Sequence, residues 1–85
     1  MIQIRYPAIF TPETQGRYSV RFPDIEGCYT CGDTLEEGYE MAKDTLALIL
    51  YDYQMANREL PIPSKIELLQ LEQDEFIEYI AFDML

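Results

Sequence analysis

The sequence predicts an α+β domain with element order β-β-β-α-β, an antiparallel sheet carrying one long helix packed on one face. Three observations predict it. Residues 17–22 alternate apolar and polar, the period of a half-buried strand. Leu35, Tyr39, Ala42, Leu46, Ile49, Leu50 and Tyr53 recur at spacings of three and four, the stripe of an amphipathic helix. Residues 75–83 are apolar at both odd and even positions, as in a strand covered on both faces.

Taken in order, Ile2, Ile4, Tyr6, Ile9 and Phe10 form a first strand, with Pro7 at an edge or a bulge because it has no N–H for a ladder. Residues 11–16, with Pro12 and Gly16, are a turn. In the second strand Tyr18, Val20 and Phe22 face one way and Arg17, Ser19 and Arg21 the other, so the first two strands make a hairpin. Residues 23–27 turn again, and Cys28–Cys31 is a short third strand. Thr34-Leu35-Glu36-Glu37 has capping-box form: Thr34 Oγ accepts from the Glu37 N–H, and the Glu37 carboxylate reaches back to the Thr34 N–H. Glu36, Glu40, Lys43 and Asp44 occupy the polar face of the helix, Asn57 ends it, and Pro61 and Pro63 forbid its return. Ser64-Lys65-Ile66-Glu67 offers a second cap for one or two helical turns over 64–71, before the last strand.

Length and charge bound the function. Eighty-five residues make one domain, expected to span 1–85. Sixteen acids against six bases give a formal charge of −10, a surface that repels phosphate backbones and steers a basic partner. Direct nucleic-acid binding by this chain alone is therefore not expected. An apolar leader and a membrane span are absent from the sequence, which places the protein in the cytoplasm by default. Cys28 and Cys31 have C-x-x-C spacing, but there is no histidine to complete a zinc site and Gly32-Asp33 separates the pair from the helix start. Two reduced thiols on opposite faces of a strand are expected, with neither metal nor cofactor.

The run Phe22-Pro23-Asp24-Ile25-Glu26-Gly27-Cys28, followed by Thr30-Cys31-Gly32-Asp33-Thr34-Leu35-Glu36-Glu37, resembles the N-terminal domain of HicB-type antitoxins. Gly38 stands where that family usually has alanine. The upstream Tyr6-Pro7-Ala8-Ile9-Phe10 and downstream Pro61-Ile62-Pro63-Ser64 also fit. The resemblance implies a partial ribonuclease-H-like fold and a toxin–antitoxin role. The implied partner is a HicA-like toxin, a small basic mRNA-cleaving protein whose active site the antitoxin blocks. Many HicB chains add a C-terminal DNA-binding module; the sequence stops at Leu85, so none is expected here.

Catalysis by ribonuclease-H-type chemistry needs converging carboxylates. Asp24, Asp33 and Glu37 have cheaper roles, in a Pro-Asp turn and at the helix start, so no catalytic residue is assigned. The candidate partner contacts are Asp24, Glu26, Glu36, Glu40 and Asp44, with Tyr29 as an aromatic anchor. The alternative is a stand-alone self-associating domain with a scaffolding or regulatory role and no toxin partner; a homodimer formed through the last strand or the sheet face is expected under either reading.

Overall fold

A computed structural model describes residues 2–84. Four strands form one antiparallel sheet: β1 (Ile2–Pro12), β2 (Tyr18–Arg21), β3 (Tyr29–Gly32) and β4 (Phe76–Met84), in the order β3-β2-β1-β4. The single long helix α1 (Leu35–Met55) covers one face. The expected element order holds. The first strand runs to Pro12, two residues further than its sequence pattern, and the third begins at Tyr29 rather than Cys28.

Register follows from side-chain parity. β1 pairs with β4 from Ile2↔Met84 to Phe10↔Phe76 without interruption, so Pro7 makes no bulge. β2 pairs with β1 only from Ile9 to Pro12, so at Pro7 the strand is flanked on one side alone. A residue without an N–H is tolerated there for the reason it is tolerated on an edge. Tyr6, Ala8, Phe10, Val20, Phe22, Ile80 and Phe82 point to the helix and are buried with Ala42, Leu46 and Leu50. Each large apolar side chain so buried contributes roughly 1.5–3 kcal/mol. Among the described residues none that is polar or charged is fully buried.

Both ends of α1 are made by their own residues. Thr34 accepts from the Glu37 N–H at 3.0 Å. The Glu37 carboxylate reaches back one residue beyond the expected position, accepting from the Asp33 N–H at 3.0 Å. At the C-terminus Asn57 adopts φ 56°, the Arg58 N–H donates to the Tyr53 carbonyl and the Asn57 N–H to that of Gln54, the two bonds of a Schellman motif.

The buried stripe differs from the expected one at its start. Leu35 and Tyr39 are exposed, and Gly38 is buried instead. A Cβ on Gly32 would lie 2.3 Å from the Gly38 nitrogen, so α1 meets the sheet backbone to backbone and bulky neighbours are turned aside.

The connection from α1 to β4 contains one short 3-10 turn, Ile66–Leu68, rather than a capped helix over 64–71. Ser64 caps nothing, because its N–H and hydroxyl both bind Asp24. Glu75, at the other end, accepts from Thr11 Oγ1 at 2.5 Å and takes a two-pronged bond from Arg21 at 2.8 and 3.2 Å. Thr11 and Arg21 point away from the helix. The connection is therefore a strap across the outward face, and Pro7 and Ile9 beneath it are buried.

Candidate partner-binding surface

Helix α1 concentrates acid. Glu36, Glu37, Glu40, Asp44 and Asp52 stand against one base, Lys43. Glu36, Glu40 and Asp44 recur at i, i+4 and i+8, which lays them along one flank of the helix as a solvent-facing ridge. Lys43 approaches Glu40 at 4.0 Å and is exposed, so it offsets little of that field.

The other sequence candidates are placed differently. Asp24 is half-buried and committed to Ser64, 40 residues along the chain, a long-range tie rather than a local turn bond. Glu26 is exposed and lies beside Ile49, Asp52 and Arg58, near the C-terminal half of α1. Tyr29 is 73% exposed on the sheet face opposite the helix. The three helix acids thus form one surface, Glu26 adjoins the helix further along, and Asp24 and Tyr29 stand apart from the ridge.

The acids that resemble a metal-binding set are dispersed. Asp24 binds Ser64, the Asp33 carboxylate takes the Arg17 guanidinium at 2.9 Å, and Glu37 caps the helix. Asp33 serves the helix through its N–H, while its carboxylate is turned to the β1–β2 hairpin. Among the described residues no group of three or more His, Cys, Asp or Glu is close enough to hold a metal ion. Cys28 lies in the core, where burial pushes its thiol up to about 11, and Cys31 is exposed on the outward face. No described helix is long and apolar enough to cross a membrane.

Two features were not read from the sequence. One is the Thr11–Arg21–Glu75 cluster, in which the Glu75 side chain is only 3% exposed and the Arg21 guanidinium holds its carboxyl down at about 2. Its one local tie is the Glu72 N–H, which donates to the carboxylate at 2.8 Å; the side-chain partners that define the cluster are 54 and 64 residues away. The other is an apolar line on the solvent side of α1. Met41, Leu48, Tyr51 and Met55 are all exposed there. Their signal was present as three-four spacing, out of phase with the core stripe.

A four-stranded antiparallel sheet with a capped helix on one face and a long strap on the other defines an architecture shared with antitoxin domains. A chain of a toxin–antitoxin complex from Streptococcus pneumoniae superposes with a TM-score of 0.84 at 28% identity, covering 96% of this chain and 70% of that one. The N-terminal domain of Burkholderia pseudomallei antitoxin HicB gives 0.82 at 15% identity, over 95% of this chain and 100% of that domain, a likeness of fold. Antitoxin HicB of Escherichia coli K12 is 41% identical over 76 residues, 88% of this chain and 51% of that protein. Antitoxin HicB 1 of Photorhabdus laumondii is 41% identical over 63 residues, 74% of this chain and 41% of that protein. The model of the HicB-like antitoxins of bacterial toxin–antitoxin systems matches residues 6–83, and the chain belongs to that family. It spans about half the length, or less, of these curated relatives.

Proposed function

We propose that this chain is an antitoxin domain that binds and neutralises a small basic mRNA-cleaving toxin of the HicA type. The observation that carries the reading is the acidic ridge of α1 in a member of the HicB-like antitoxin family. A toxin that holds RNA needs a basic surface, and a ridge of Glu36, Glu40 and Asp44 on a chain of charge −10 complements one. Glu26, near the far end of the helix, extends the same field. Asp24 and Tyr29 are secondary to the ridge: Asp24 holds the strap, and Tyr29 offers a separate contact on the other sheet face. The chain acts by occupying its partner, in the cytoplasm where mRNA is found, and does not itself hold nucleic acid.

Pull-down and titration against the small basic protein encoded beside this gene test the reading. Nanomolar to micromolar binding, weakening at least tenfold as sodium chloride rises from about 50 to 500 mM, is the expected result. Absence of binding at low salt would sink it.

One observation favours a second association. β4 is an edge strand of nine residues, and among the described residues its outer side has no ladder partner. We propose that two copies pair there into a homodimer. Sedimentation showing only monomer at high concentration would exclude it.

A further inference from the structure

The solvent pole of α1 is apolar, where a surface helix ordinarily carries charge. Met41, Leu48 and Met55 are spaced two turns apart and fall nearly in one line. Leu48 and Met55 are each 67% exposed, and Tyr51 lies beside the line. Between this line and the β4 edge runs a shallow groove walled by Ala47, Leu48 and Tyr51, with Phe82 in its floor and Asp44 and Asp83 at its rim. Within α1 this pole faces away from Gly38, Ala42, Leu46 and Leu50, and the sheet borders it through Phe82 and Asp83 of β4 on the groove side.

The charge around the groove decides what kind of surface covers it. Asp44 lines it, with Glu40 and Asp52 on either flank of the helix pole; Asp83 borders it but turns its carboxylate to the Gln3 amide, from which it accepts at 2.9 Å. A second copy seated in the groove, as distinct from one paired along the β4 backbone edge, would bring Asp44 and its neighbours against themselves, a like-charge juxtaposition that disfavours that contact. A basic surface carrying an apolar side chain satisfies both features: the apolar group fills the groove between Leu48 and Tyr51, and lysine or arginine groups beside it meet Asp44 and, one turn along the helix, Glu40. Charge at the rim and an apolar anchor at the centre is also the ordinary anatomy of an interface.

We infer that the Leu48–Tyr51–Phe82 groove is where the basic toxin inserts an apolar anchor, with the acidic ridge steering it there. This rests on the antitoxin reading and sharpens it, because it assigns the binding energy to apolar residues and leaves the ridge to set the association rate. The sequence signal of the ridge is therefore the smaller part of the contact.

The full chain is titrated against the neighbouring basic protein, wild type beside Leu48→Ser, Tyr51→Ala, Asp44→Asn and, as a control on the strap, Leu68→Ser. Leu48 is exposed, so its replacement leaves the melting temperature within a degree or two, which is measured first. Leu48→Ser and Tyr51→Ala are expected to weaken binding about tenfold or more through faster dissociation. Asp44→Asn is expected to slow association and flatten the salt dependence, and Leu68→Ser to change affinity less than twofold. If wild type binds and both groove variants bind within twofold of it, the groove assignment falls while the antitoxin reading stands. If wild type does not bind, both fall. If Leu48→Ser abolishes self-association in sedimentation and leaves toxin binding intact, the groove belongs to a second copy and the inference is overturned.

Discussion

At Gly32 the sheet and the helix touch backbone to backbone, and a Cβ there would lie within 2.8 Å of three backbone atoms of Glu37 and Gly38. Gly38 differs: a Cβ would meet Phe10, Tyr18 and Val20 at 3.6–3.7 Å, ordinary contact. Gly38→Ala is therefore expected to stabilise the protein by about 0.5–1 kcal/mol, raising the midpoint of a thermal melt by several degrees. Gly32→Ala is expected to cost about 2 kcal/mol or more, because backbone cannot step aside as a side chain can. A Gly32→Ala protein as stable as wild type would refute the close approach. The two cysteines separate as clearly. Cys28 is buried with its thiol pushed up to about 11, and Cys31 is exposed. Alkylation of the native protein at pH 8 should label Cys31 within minutes, Cys28 reacting only after denaturation, as peptide mass analysis can read.

Among the elements, α1 was the most legible in the sequence, because its signals are local. Thr34 and Glu37 are three residues apart, and the core stripe repeats every turn. β2 was legible for the same reason, its alternation being confined to six residues. The strap was not, since Ser64 reads as a cap and Glu75 as the first residue of the last strand until the sheet brings Asp24, Arg21 and Thr11 to them. Its pH dependence follows from Glu75. The folded carboxyl sits at about 2, below the ordinary value of 4.5, so its ionised form is favoured by folding. That stability is complete above about pH 4.5 and is lost as pH falls from there towards 2. Glu75→Gln should lower stability at pH 7 and show a smaller further loss on acidification to pH 3 than wild type, measured by urea unfolding at each pH. Equal losses in the two proteins would mean that Glu75 does not govern this window.

For the molecule as a whole, the charge of −10 is spread over acids that repel one another in the compact state. Salt screens that repulsion over distances of about 10 Å at 0.1 M, so the free protein should melt a few degrees higher in 0.5 M sodium chloride than in 10 mM. The same salt weakens capture of a basic partner, and the opposed responses separate folding from binding. At this scale the sequence carried the fold through its strand alternation and helical stripe, and the family through one run from Phe22 to Glu37. It left the proposed contact surface half-read. The ridge acids were visible as charge on a helix face, while Leu48, Tyr51 and Phe82 come together only once β4 lies beside α1.

The pairing of β1 with β4 joins residues 2–10 to residues 76–84. β1 is therefore synthesised well before the strand that completes its ladder. Until Phe76 emerges, Tyr6 and Phe10 lack the wall that Ile80 and Phe76 provide, and a nascent chain holding α1 alone presents an open core to chaperones and proteases. A nascent chain that ends before Phe76 therefore lacks the strand that closes this core.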